Sequence, residues 1–118
     1  MKFDFLIRFY DLNEGAFAYH RHCLSTTGAI NPVFLKTLEF VADELFAESI
    51  KDNPTMNPDH IKAKILERRY KIQYGLDRAN INEGCYSQAS LRAKKHYHEF
   101  GQYDQLTIRK FIDEKTSN

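Results

Sequence analysis

The sequence predicts an all-α protein, a single compact domain of four to five helices expected to form a homodimer. Three observations carry that reading. Apolar residues recur at steps of three and four along most of the chain. Cap residues, prolines and glycines punctuate those runs at helix-length intervals. The one short alternating run has no later partner with which to build a sheet. At 118 residues, with 42% hydrophobic and 14% aromatic content, the chain is one domain in size and carries an apolar load that disordered chains lack. No Pro/Gly/Ser-rich linker or internal repeat divides residues 1–118.

Residues 3–9 alternate as Phe3, Phe5, Ile7 and Phe9, which suits a strand. The steps of four and three through Phe5, Phe9, Leu12, Ala16, Tyr19 and Cys23 suit a helix, and the helix is preferred. Asp11 and Glu14 have the spacing of a capping box, so a helix is expected from about Leu12 to Thr26, stopped by Gly28. Asn31-Pro32 opens the next helix, because Asn accepts an early amide and Pro lacks only an N–H that would be unpaired there. Its stripe Phe34, Leu38, Val41 and Leu45 is widened by Leu35, Ala42 and Phe46, with Lys36, Glu39, Asp43 and Lys51 on the wet side. So broad a face predicts a central helix or a subunit interface, which is the ground for the homodimer. Lys51-Asp52-Asn53-Pro54 ends it.

Asn57-Pro58 repeats the start signal, and a third helix is expected from Pro58 to about Leu76 with Ile61, Ile65, Ile72 and Leu76 inward. Residues 77–86 read as a connection, with a short helix as the alternative. Ser87 caps a fourth helix to about Phe100, stopped by Gly101, with Ala89, Ala93, Tyr97 and Phe100 inward. Asp104 caps a last helix carrying Leu106, Ile108, Phe111 and Ile112. The tail 115–118 frays.

A formal net charge of +1 conceals a division. Residues 1–60 hold 5 Lys/Arg against 9 Asp/Glu, and residues 61–118 hold 12 against 7. The chain thus has an acidic scaffold half, residues 1–56, and a basic half, residues 57–114. Between 62 and 95 the balance is 9 against 3, a candidate footprint for a polyanion. Lys64, Arg68, Lys71 and Arg78 share one face of the third helix, with Gly75 in the skipped place. Gln88, Arg92 and Lys95 share a face of the fourth, and Lys94 lies nearby. Cations in such rows can follow a phosphate backbone. The plainer alternative is a solvated face, or one neutralised by Glu39 or Asp43 within a dimer.

The run from Ala79 to Arg92 resembles a helix-turn-helix on Ala79, Gly84, Ser87-Gln88 and Leu91. That resemblance implies base reading by Gln88 and Arg92 in a duplex major groove and burial of Leu91. The turn is one residue longer than usual, and Asn80, Asn82 and Glu83 suit a first helix poorly. A single-strand alternative rests on Tyr70, Tyr74, Tyr86, Tyr97 and Tyr103. Tyrosines beside cations can stack bases while the cations hold phosphates. Tyr70 and Tyr97 are otherwise expected at the core edge with their hydroxyls in water.

Other chemistry is poorly supplied. His20/His22 and His96/His98 are spaced so that each pair diverges by about 200° on a helix and cannot chelate there. Neither a C-x-x-C nor an H-E-x-x-H occurs, so no metal and no cofactor is expected. Glu44 and Glu48 read as a wet helix edge, and the five dispersed glycines form no phosphate-cradling loop. No catalytic residue is expected, and the chain reads as a non-enzyme. Met1 to Arg8 is too short and too charged for a signal peptide, and no run of about 18 apolar residues could span a membrane. Cys23 and Cys85 are therefore expected as free thiols in a reducing cytoplasm. The expected function is nucleic-acid binding, DNA or RNA, through the basic face. The alternatives are a protein-interaction module (adaptor, inhibitor or chaperone) and a small nucleotide or ligand binder.

Overall fold

The computed structural model describes residues 2–117. Among them the helices are α1 (Lys2–Tyr19), α2 (Pro32–Asp52), α3 (Pro58–Glu83), α4 (Gln88–Phe100) and α5 (Gln105–Thr116), and no strand is present. A π-helical segment, His20–Leu24, follows α1, and a 3-10 turn, Gly84–Tyr86, joins α3 to α4.

Residues 3–9 are helical, and no helix begins at Asp11. One continuous helix places Leu6, Phe9, Ala16 and Tyr19 in the core, so the spacing by three and four prevails over the local cap signal. Asp11 and Glu14 lie mid-helix and serve instead as partners for arginines of α3. The helical path stops at Leu24, ahead of Gly28, because Thr27 donates both its N–H and its hydroxyl to the Leu24 carbonyl at 3.0 Å.

The two Asn-Pro starts stand. The Asn31 side chain accepts the Val33 N–H at 2.9 Å, and Asn57 accepts that of Asp59 at 2.8 Å. The caps of α4 and α5 stand as well, Ser87 accepting from Ser90 and Asp104 from Thr107. The Thr107 N–H holds the Asp104 carboxyl below its ordinary pKa. The third helix runs past Leu76 to Glu83, so most of the expected connection is helical. Gly84 ends it at φ 60°, a left-handed conformation that glycine adopts without strain.

The central helix is α1, which packs against α2, α3, α4 and α5. The broad face of α2 is absorbed within the chain, since Leu35 and Ala42 pack on the core beside buried Phe34, Leu38, Val41 and Leu45. Aromatic rings join the layers. Phe9 meets Phe100 edge-on at 5.3 Å, and Phe34 meets Tyr97 at 4.9 Å. Tyr97 is buried, contrary to the expected wet hydroxyl, and its oxygen accepts the Asn31 N–H at 2.8 Å. A Cβ on Gly101 would stand 2.6 Å from Asn31 Nδ2, so a larger residue there would push aside the Asn31 amide that donates to the Gly101 carbonyl.

Cys23 and Cys85 are bonded to each other, which overturns the free-thiol expectation. They lie 62 residues apart, yet the fold lays the π-helical segment against the 3-10 turn. Arg21 donates to Gln73 Oε1 at 2.6 Å, and His22 meets Asp77 at 2.8 Å alongside. Among the described residues no helix is long and apolar enough to cross a membrane.

Candidate nucleic-acid interface

The interface is built on α3, whose 26 residues span about 39 Å at 1.5 Å each, close to the molecule's 43 Å long dimension. Only Ile61, Gln73 and Leu76 of this helix are buried, so the opposite face is uncovered. On that face lie Leu66, Tyr70, Tyr74 and Ile81, 43%, 61%, 60% and 72% exposed. Their spacing confines them to roughly 80° of the helix circumference. Tyr70 and Tyr74 are one turn apart, a rise of about 6 Å. Tyr86, in the turn that follows, is also exposed. The tyrosine signal was present in the sequence, but only the uncovered face separates Tyr70, Tyr74 and Tyr86 from buried Tyr97.

The predicted cations fall into three groups. Lys71 and Arg78 border the aromatic ridge, and Lys64 lies about 80° or more around the helix from it, toward α1 and α2. Lys64 is exposed and makes no ion pair among the described residues. Lys71 pairs loosely with Glu67 at 3.3 Å, both well exposed, a contact worth under about 1 kcal/mol. The Arg78 guanidinium lies 5.8 Å from the Tyr74 ring centre, and Nη1 donates to its hydroxyl at 3.2 Å.

Arg68 belongs to the scaffold instead. It grips Asp11 with two nitrogens, Nε at 2.9 Å, and this hydrogen bonding raises its pKa. Its neighbour Arg69, which the stripe did not include, donates Nε–H to both oxygens of fully buried Glu14, at 3.0 and 2.9 Å. Burial works against the charge on Arg69, but Glu14 outweighs it and the pKa is raised. The Tyr10 hydroxyl also donates to Glu14. Burial, together with that carboxylate, pushes the Tyr10 pKa up. Two of the nine cations between 62 and 95 are thus neutralised by the acidic half of the same chain, without a dimer.

The third group lies on α4. A shallow groove of about 210 Å³ separates α3 from α4 over α1, with Gly75 and Ile72 on one bank and Ala89, Arg92 and His96 on the other. Of the predicted cations, Arg92 lines this groove, while Lys64, Lys71, Arg78 and Lys95 stand outside it. Gln88 and Lys95 are exposed beyond it, Lys95 beside Phe5, Arg8 and Phe111. Lys94 is exposed about 200° around the helix from Arg92, away from the groove.

The helix-turn-helix likeness fails at two places. Ala79 to Glu83 form the end of a long α3 rather than a short first helix, and Leu91 is 48% exposed where the likeness requires burial. The buried contacts come from Ser87 and Ser90, whose hydroxyls both donate to Asn80 Oδ1, at 2.5 and 2.8 Å.

His96 stacks parallel on Phe100 at 5.5 Å. Burial lowers its pKa from 6.5, with Lys95 and Arg92 adding to the effect against the opposing pull of Glu99. Folding therefore favours the neutral ring. Its contribution is full above the unfolded pKa and declines as pH falls toward the lower folded value. Urea melts should show wild type losing more stability between pH 7.5 and 5.5 than a His96→Gln variant. Equal losses would refute this assignment.

No group of three or more His, Cys, Asp or Glu among the described residues could hold a metal ion. Compared with protein-family models, with curated proteins and with solved structures, the chain matches none.

Proposed function

We propose that this chain is a binding module, rather than an enzyme, that takes single-stranded nucleic acid along the outer face of α3. The observation that carries the reading is the exposed pair Tyr70 and Tyr74, one helical turn apart beside Lys71 and Arg78. Successive bases can stack on such rings irrespective of sequence, while Lys71 and Arg78, with Lys64 farther around the helix, meet phosphates. Arg92 adds a cation across the Gly75 groove, and Lys94 and Lys95 contribute only long-range field. Exposed Leu91 removes the support for a duplex-reading recognition helix, so Gln88 and Arg92 act here as flanking polar contacts.

Fluorescence anisotropy with a labelled 20-nucleotide mixed-sequence strand tests this. Binding should weaken steeply as salt rises, and the single strand should be preferred over the matching duplex. Tyr70→Ala should cost about 1–3 kcal/mol of binding, the value of one stacked base. A Tyr70→Ala/Tyr74→Ala protein that is folded and binds as wild type would refute the reading.

A second reading has its own observation. Leu66 and Ile81 extend the tyrosine ridge at both ends, giving one apolar helix face of the kind a partner groove reads. A second copy of the chain is one such partner, and the homodimer would then form through α3 instead of α2. Light scattering near 14 kDa at micromolar concentration would exclude that dimer. The cytoplasmic expectation rested on the short, charged start of the chain, and the free thiols followed from it; the bonded pair runs counter to that consequence, because such bonds persist where conditions are oxidising. Thiol trapping on freshly lysed cells reads the bond's state directly.

A further inference from the structure

We infer that a cleft between the start of α1, the end of α2 and the start of α3 binds an aliphatic chain that ends in one anionic group, such as a medium-chain carboxylate. Its apolar floor lies apart from the tyrosine ridge, although Lys64 and Lys71 belong to both surfaces, and the inference does not depend on the nucleic-acid reading.

The cleft holds about 430 Å³, within the usual range for small-molecule sites. Its floor is apolar, made by Phe3, Ile7, Leu45, Met56, Ile61 and Ile65. The polar groups beside the floor are turned to their own helix. Ser49 Oγ donates to the Leu45 carbonyl at 2.7 Å, and Asn53 Nδ2 donates to the Ser49 carbonyl at 3.0 Å. A ligand's polar atoms would thus find poor partners inside, and an unbranched hydrocarbon loses nothing there.

The mouth differs in character. Lys64, Arg68, Lys71 and Glu67 line it. Arg68 is matched by Asp11 and Lys71 by Glu67, which leaves Lys64 as the cation without an ion pair among the described residues. One net positive charge at the rim of an apolar cleft calls for one negative charge on an apolar body. At roughly 30 Å³ per heavy atom, the share of a water molecule in the liquid, the cleft has room for about fourteen heavy atoms. Dodecanoate has that size.

The test is calorimetric titration of the full chain with dodecanoate, below its micelle concentration, with circular dichroism to confirm that the fold persists. One-to-one binding is expected, with dodecyltrimethylammonium at least about tenfold weaker and inorganic phosphate silent. Lys64→Glu should weaken dodecanoate at least about fivefold, as the loss and reversal of one exposed ion pair allows. Met56→Trp, which fills the cleft from the α2–α3 loop without changing a helical residue, should abolish binding. An Arg92→Glu/Lys95→Glu variant, altered on the far side of α1, should bind as wild type. Equal binding of the cationic surfactant, no binding at 1 mM dodecanoate, or unchanged binding in folded Met56→Trp would each overturn the inference. Oligonucleotide binding by the same Met56→Trp protein reports on the α3 ridge independently.

Discussion

Reducing the Cys23–Cys85 bond, or replacing both residues by serine, should destabilise the protein by about 4 kcal/mol. The figure follows from the loop-closure entropy that a cross-link removes from the unfolded chain, for a separation of 62 residues. At the unfolding entropy usual for a domain of this size, the melting temperature should fall by about 15 °C. Differential scanning calorimetry with and without a dithiol measures it. The loss should be local first. The bond ties the π-helical end of α1 to the turn between α3 and α4, where Ile81 and Tyr86 are largely exposed and contribute little to the core. In the reduced protein, hydrogen exchange should therefore accelerate earliest over residues 20–27 and 77–87. A shift below about 3 °C would mean that Arg21–Gln73, His22–Asp77 and the serine–Asn80 bonds suffice to hold this end.

Arg69→Met should cost about 3–5 kcal/mol, the penalty for leaving one member of a buried ion pair without its partner. Glu14 is wholly buried, and its remaining contact is the Tyr10 hydroxyl, which cannot neutralise it. The methionine also gives up the guanidinium contact with Phe17, whose ring centre lies 5.0 Å from the guanidinium carbon, a loss of about 0.5–1 kcal/mol. Most of the expected loss is thus the stranded charge, which the cycle with Glu14 separates. Adding Glu14→Gln to that variant should restore about 1–3 kcal/mol, the coupling expected between residues in contact, because the amide keeps a hydrogen-bond acceptor for Tyr10 and removes the stranded charge. Urea denaturation of the wild type, both single variants and the double variant closes the cycle. An Arg69→Met protein within about 1 kcal/mol of wild type would contradict the buried pair.

The same pair shows where sequence reading went astray. Asp11 and Glu14 have the spacing of a cap, and a cap is a local device. Their partners, Arg68 and Arg69, lie more than fifty positions away, and nothing nearby in sequence marks the pairing. In the helical register of α1 Glu14 falls one turn from Tyr10, but the burial of Tyr10 is itself a product of the tertiary structure. The disulfide was hidden for a similar reason. Two cysteines far apart have no pairing signal until the fold brings a π-helical turn and a 3-10 turn together.

Cap chemistry and apolar spacing are short-range, so the sequence by itself determined the all-helical class and the positions where α2 through α5 begin. It also determined that one half of the chain carries an excess of cations and tyrosines. Which of those cations are free was decided only by the tertiary structure. Arg68 and Arg69 are taken up by α1, while Lys71 and Arg78 remain on an uncovered face beside Tyr70 and Tyr74. That distinction depends on which face of α3 meets α1. Burial against a distant helix costs a charge several kcal/mol unless a partner arrives with it, and a local pattern cannot report which residue meets that condition.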